Sequence, residues 1–468
     1  MSKAYMGVRL RRLREERGIT QAALAGSLGI STSYLSQIEQ NQRPLTVPVL
    51  LRLNAAFGID VQLFSEDEEG RLITDLREAL RENPAAGGTA NAELRELAQG
   101  MPAVARAIVS LHRQHREVLD RAEAMAARLG DDWTGEAPAR MPFEQVRDFF
   151  YARRNHVPEL DTAAERIYAD AGLAPHTVHA GLVRRLEQRH SVRVVQDDTD
   201  AWQRRFDSRT GTLHLAAHLR QGQQAFQMAT QLAFLELGEA IDTLASDPAL
   251  GTEETRSLCR IGLANYFAGA LLLPYAAFLR TAEDACYDIE RLSRHFGVGF
   301  ETVCHRLSTL QRPEARGVPF FLIRVDRAGN ISKRQSATGF HFSRVGGSCP
   351  LWNVYEAFAQ PGRILTQIAQ MPDGRTYLWI ARTVGRGGAG YGAPGKTFAI
   401  GLGCDIRHAG RLVYSKGLDL TDPASATPIG AGCKVCERPS CPQRAFPPIG
   451  RPLASDLNRS GPMPYPFK

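Results

Sequence analysis

The stretch from Gly18 to Glu39, GITQAALAGSLGISTSYLSQIE, constrains the fold more than any other part of the chain. Two short apolar-periodic segments, Thr20–Leu28 and Thr32–Gln40, are joined by Gly29-Ile30-Ser31. Thr20 and Ser31 stand at N-cap positions, where a side-chain oxygen can take an orphan backbone N–H. Ala25 is small where two crossing helices must approach, and Gly29 can supply the left-handed conformation of a tight inter-helix turn. Leu35 and Ile38 share one face of the second helix. Thr32, Ser33, Ser36 and Gln37 share the other face, within reach of base edges in a major groove. A plain packing hairpin would need the first face but not the second.

Over about residues 7–64 the pattern resembles the helix-turn-helix of the XRE (phage Cro and repressor) family. That resemblance implies that Gln21 and Gln40 hold phosphates, while Thr32, Ser33 and Gln37 face bases. Double-stranded DNA is the expected partner.

With 468 residues, about three domains are expected at roughly 150 residues each. A net charge of +7 suits a polyanionic partner without proving one. No apolar run approaches the ~20 residues of a membrane span, and no signal-peptide core opens the chain. Those features point to the cytoplasm, where the eight cysteines should be thiols or metal ligands.

Residues 7–18 read as a first helix with Val8, Leu10 and Leu13 inward, and Pro48 to Phe57 closes the bundle. SEDEEG at 65–70 reads as an acidic, solvated connection, and Asn83–Asn91 as a loop or hinge. From Pro102 to Gly130 the apolar residues Val104, Ile108, Leu111, Val118, Ala122, Met125 and Leu129 follow three-four spacing, with His115 in the remaining seam position. Two arrangements fit equally: a self-pairing coiled coil, or a long helix packed on its own protein.

From Met141 a second globular region begins, with a strand pair near Ser191–Val195 and Gly211–Leu215. The segments FQMATQLAFLELGE (226–239) and ANYFAGALLLP (264–274) resemble the zinc-peptidase fold of the ImmA/IrrE family. Where that family has His, Glu and His, this chain has Thr230, Gln231 and Phe234. Zinc hydrolysis needs two imidazoles at i and i+4 with a carboxylate base between them. Ile261-Gly262-Leu263 offers no third ligand, and His214, His218 and Glu236 are off the required spacing. The expectation is a zincin-like scaffold without a zinc site, and no enzyme. Ile289–Leu310 looks like a second helix-turn-helix serving to pack, and Cys259, Cys286 and Cys304 read as buried structural thiols.

Beyond Gly317, PFFLIRVD, TYLWIART and KTFAIGLGCDI read as strands between Gly-rich turns. Gly390–Thr397 satisfies G-x4-G-K-[ST], but a strand-like run follows where a P-loop needs a helix. The loop could cradle a phosphate with Lys396, or simply be mobile. Cys433, Cys436 and Cys441, within nine residues of a Gly/Pro-rich tail, suggest a soft-metal or iron–sulfur site. Cys404, Cys349, His341 or His408 could complete it. Surface thiols without a metal are the simpler alternative.

The order of parts, with GGSCPLWNVYEAF (346–358) and GCKVCERPSCPQRAFPP (432–448), resembles the short-chain fatty acyl transcriptional regulators. The resemblance implies control of genes for propionate, acetate and glyoxylate-linked carbon use, acyl-CoA as effector, and a [4Fe-4S] cluster on C-terminal cysteines. The expected fold is multidomain. Residues 1–66 form an all-α DNA reader and 67–140 a helical linker for a homodimer or homotetramer. Residues 141–312 form an α+β zincin-like unit and 313–468 an α/β acyl-CoA sensor with an antiparallel sheet. Lys396, or a nearby arginine such as Arg386, is expected to meet acyl-CoA phosphate. The competing function, a regulatory metallopeptidase, lacks its zinc triad.

Overall fold

The computed structural model describes residues 7–40, 42–43, 45–57, 66–81, 91–128, 141–199, 201–336, 349–386, 391, 395–430, 432–436, 438–448, 451–454, 458 and 461–467. Helices α1 (Gly7–Glu16), α2 (Gln21–Ser27), α3 (Thr32–Glu39) and α4 (Val47–Phe57) form the first unit. Their core is Leu10, Leu24, Ala25, Leu28, Leu35, Ile38, Leu45, Val49 and Leu53. Both caps form: Thr20 Oγ1 accepts from the Ala23 N–H and Ser31 Oγ from the Tyr34 N–H, at 3.2 and 3.1 Å. Gly29 takes φ +60° at the corner.

Next come α5 (Glu66–Arg81), α6 (Asn91–Gly100) and α7 (Pro102–Arg128). The acidic run at 66–70 is therefore the first turn of a helix, not a connection. Carboxylates are favoured at a helix N-terminus, where the backbone dipole is positive. Residues 82–90 lie outside the described set. Leu72, Leu76, Leu94, Ala98 and Ala105 hold the three helices together. Pro102 starts α7 because its missing N–H costs nothing in a first turn.

The middle unit runs α8 (Pro142–Ala152), α9 (Pro158–Asp170), α10 (Val178–His190), β1 (Arg193–Asp197), β2 (Arg204–Asp207) and β3 (Thr212–Ala216). It continues through α11 (Gln221–Glu236), α12 (Gly238–Ala245), α13 (Glu253–Leu272), α14 (Tyr275–Asp284), α15 (Ile289–Phe296) and α16 (Phe300–Leu307). β1 and β3 pair in parallel from Arg193↔Thr212, and β2 adds an antiparallel edge. Buried Ile289, Leu292, Val303 and Leu307 pack α15 and α16 into the core. Cys259 and Cys304 are buried as expected, but Cys286 is exposed. It sits at φ +47° between α14 and α15, outside both helices, where no core surrounds it.

Among these helices lies a buried ion pair between α9 and α16. Arg306 donates to Asp161 Oδ1 at 2.5 Å, and the Tyr266 hydroxyl donates to Oδ2 at 2.7 Å. His156 Nε2 stands 3.2 Å from Oδ2. Asp161 is 1% and Arg306 2% exposed.

The last unit is a six-stranded sheet, order β5-β4-β8-β7-β6-β9. Its strands are β4 (Phe321–Val325), β5 (Ile331–Ser336), β6 (Leu365–Gln370), β7 (Thr376–Arg386), β8 (Lys396–Asp405) and β9 (Thr427–Pro428), with α17 (Asn353–Glu356) between β5 and β6. All neighbours pair antiparallel except β6 with β9. Side chains alternate across a strand, so the sheet has two buried faces. Leu378, Ile380, Ile400, Leu402 and Cys404 extend the middle unit's core. Phe321, Trp352, Val354, Trp379 and Cys349 form a second core on the other side. Gly403 is required there: a Cβ would stand 2.1 Å from the Phe321 ring.

Candidate DNA interface and cysteine cavity

In α3, Thr32, Ser33 and Gln40 are exposed, while Ser36 and Gln37 are half-buried. Leu35 and Ile38, at 0% exposure, fix which way that face turns. Gln40 Nε2 approaches Ser36 Oγ at 3.5 Å. Gln21 is already engaged, its amide donating to Glu39 Oε2 at 2.9 Å. Arg14 grips the same carboxylate, Nε to Oε1 at 2.7 Å, so Glu39 ties α1, α2 and α3 together. Arg52 donates to the Leu28 and Gly29 carbonyls at 2.9 and 3.3 Å, locking the corner from α4. Exposed Arg43 sits over the Tyr34 ring at 5.5 Å, a cation beside the polar face. Sequence reasoning missed Arg43 and Arg52; a basic residue just past a recognition helix was the available signal for the first.

In the middle unit, Thr230 and Gln231 are 2% and 7% exposed. Thr230 Oγ1 donates back to the Phe226 carbonyl at 2.8 Å, and Phe234 packs on the core. Ile261 is exposed and Gly262 lies against Phe150. His214 is held by Asp197 at 2.8 Å, and Glu236 by Arg185 and His190 at 2.7 and 2.9 Å. None of these groups converges on a catalytic centre.

Arg386 and Lys396 are register partners at the loop end of the β7–β8 hairpin, and Lys396 is exposed. Lys396 opens a strand, so the G-x4-G-K-T run is not a phosphate-binding turn into a helix. Gly390 and residues 392–394 lie outside the described set. Beside the β9 edge of the sheet, a cavity of about 560 Å³ runs along β6 from Leu365 to Ile368. Asn353, Arg363, Asp419 and Thr427 also line it.

The three tail cysteines converge. Cys433, Cys436 and Cys441 line one cavity together with Cys349, which lies more than eighty positions upstream. Gly430 lets the loop close, since a Cβ there would lie 2.7 Å from Cys436 Sγ. Burial pushes the Cys349 thiol up, and negative charge at Cys436 and Cys433 would push it the same way. Cys404 belongs to the core on the opposite sheet face, where burial drives its thiol far above the usual range. His408 does not line the cavity, and His341 is outside the described set. Among the described residues, no three His, Cys, Asp or Glu side chains stand at the geometry of a bound metal ion.

Comparison with known proteins gives three profile matches. A helix-turn-helix domain covers residues 6–66, an IrrE N-terminal-like domain residues 187–308, and the C-terminal part of the short-chain fatty acyl coenzyme A regulators residues 309–465. The chain is 54% identical to the HTH-type transcriptional regulator RamB of Mycobacterium tuberculosis H37Rv, over 99% of each. It is 52% identical to PrpR of the same strain, over 99% of this chain and 96% of PrpR. Identity to the propionyl-CoA carboxylase regulator of Cereibacter sphaeroides is 43%, over 99% and 98%. A solved Mycobacterium tuberculosis transcriptional regulator superposes with TM-score 0.68 at 56% identity, covering 70% of this chain and 99% of that one.

Proposed function

The chain belongs to the family of HTH-type transcriptional regulators that includes RamB and PrpR, and from that premise we propose how its parts act. It is a DNA-binding regulator of propionyl- or acetyl-CoA metabolism genes that responds to short-chain acyl-CoA in the cytoplasm. The carrying observation is α3, whose buried Leu35 and Ile38 turn Thr32 and Ser33 to solvent. A good base contact discriminates by about 1–3 kcal/mol. Gln37→Ala should therefore weaken operator binding about tenfold or more while sparing non-specific DNA. Equal loss on both DNAs would remove Gln37 from the base readers. Gln21 and Gln40 meet phosphate in this reading, with Gln21 oriented by Glu39.

The middle unit is a scaffold and not a peptidase. Thr230, Gln231 and Phe234 can neither bind zinc nor take a proton from water.

Self-association is proposed through α7. Val104 is 48% and Leu111 65% exposed, and both lie on the same three-four seam. Ile108 between them packs on the α5–α6 core, and the two apolar side chains left in water favour a second copy of the helix. Leu111→Asp should convert the oligomer to monomer in sedimentation; an unchanged mass would place the interface elsewhere.

Acyl-CoA binding is assigned to the C-terminal unit, with phosphate meeting Lys396 and Arg386. The cavity along β6 is a second location, favoured by a volume within the usual range for ligand sites. A ligand present at a hundredfold excess over its Kd stabilises the native state by about 2.7 kcal/mol. Propionyl-CoA should therefore raise Tm. Loss of that shift in Lys396→Ala with Arg386→Ala supports the hairpin. Loss only in Thr366→Trp, which fills the cavity, moves the ligand there.

The tail cysteines Cys433, Cys436 and Cys441 fit a [4Fe-4S] cluster with Cys349 as fourth ligand. The same four thiols are also the donor set of a structural zinc, and iron and zinc analysis of anaerobic protein separates the two. When bound, such a cluster supplies a one-electron, oxygen-sensitive input.

A further inference from the structure

Arg444 is a cation buried beside the four cysteines, and among the described residues no carboxylate meets it. It is 4% exposed and lines the same cavity as Cys349, Cys433, Cys436 and Cys441. Its fork gathers carbonyls of the cysteine loop. One terminal nitrogen donates to Cys433 and Phe446 at 3.3 Å each, the other to Cys436 at 3.2 Å and Arg438 at 2.7 Å. The Phe467 ring covers the guanidinium at 5.0 Å. The remaining donor, Nε–H, is buried and unpartnered. No carboxylate among the described residues forms an ion pair with it.

Carbonyl dipoles solvate a guanidinium but do not neutralise it, and a buried unpaired charge costs several kcal/mol. Neutral thiols would leave that cost standing. Thiolates would offset it, and four of them outweigh the charge of a four-iron cluster or a zinc ion, so either centre is net negative.

We propose that Arg444 is the built-in counter-charge of an anionic four-thiolate centre, and that its charge makes the centre easier to reduce. This rests on the cluster reading above. A nearby fixed cation favours the more negative, reduced state. Removing it should lower the reduction midpoint.

The test uses the full chain, purified without oxygen and reconstituted with iron and sulfide, as wild type, Arg444→Lys and Arg444→Gln. Iron per chain and the midpoint potential are measured, and operator binding checks that each variant is otherwise folded. Lysine should keep the iron and a midpoint near wild type. Glutamine should lose iron, and any cluster that forms should shift about tenfold in its reduction equilibrium, ~59 mV more negative for one electron. Glutamine matching wild type in both readings overturns the proposal. Equal iron loss in both variants also overturns it, because the carbonyl-gathering fork would then matter and the charge would not. A wild type that takes zinc and no cluster sinks the cluster reading separately. Arg444 is then decided by zinc retention against a chelator, with lysine expected to hold the metal and glutamine to release it.

Discussion

Replacing Arg306 by methionine, with Asp161 left in place, should destabilise the middle unit by about 3–5 kcal/mol, because it strands a buried carboxylate. Burial pushes the Asp161 carboxyl up. The Arg306 charge, hydrogen bonds from Arg306 and Tyr266, and the His156 ring nitrogen 3.2 Å away outweigh that, holding it well below the usual carboxylate range. A depressed folded pKa contributes stability that is present above the unfolded value, about 3.9. That stability is lost as pH falls through the folded value. In the variant the Arg306 charge no longer opposes burial and only Tyr266 and His156 remain beside the carboxyl, so Asp161 takes up a proton more readily on acidification and the penalty falls. The gap between wild type and variant should thus be widest near neutrality and narrow below about pH 4. Hydrogen exchange in α9, α13 and α16, at pH 7 and pH 4, measures both. The double variant Asp161→Leu, Arg306→Met should recover much of the loss, since apolar replacement of a buried pair is often neutral. A single variant costing under about 1 kcal/mol would show that water reaches the site.

On the proposed cluster reading, Cys349→Ser should abolish iron binding and the brown colour on anaerobic reconstitution as completely as Cys436→Ser, whereas Cys404→Ser should leave both intact. The contrast follows from the sheet. Cys349 sits on the face where the tail folds back, while Cys404 points into the opposite core. Iron and acid-labile sulfide per chain, with the visible spectrum, decide it. Full iron in Cys349→Ser would assign the fourth corner to another ligand. Loss in Cys404→Ser alone would mean the tail sits differently on the sheet when loaded. If the wild type stays colourless and binds one tight zinc, redox sensing should be abandoned.

The chain's local chemistry was legible without coordinates wherever it acts over a turn or two. Thr20 and Ser31 cap because their oxygens reach a backbone N–H three residues on. Leu35 and Ile38 are buried because three-residue spacing puts them on one helix face. β1 and β3 were readable as a pair, but β2 was not. Its four residues, RRFD, show too little alternation to signal a strand. The acidic start of α5 misled for a related reason, since carboxylates suit both water and a helix N-terminus.

By itself, then, the sequence determined the DNA-reading corner, the loss of the zinc triad at Thr230, Gln231 and Phe234, and the three-cysteine cluster of the tail. Each depends on residues within a few positions of one another, where covalent connection already limits the geometry. The tertiary structure alone decided that Cys349 rather than Cys404 faces that cluster, that Arg52 locks the helix corner, and that Arg306 meets Asp161. It also placed Arg444 among the thiols, with no ion pair to a described carboxylate. Those partners are brought together by sheet register and helix packing, and spacing along a chain carries no record of which face of a distant strand a side chain will take.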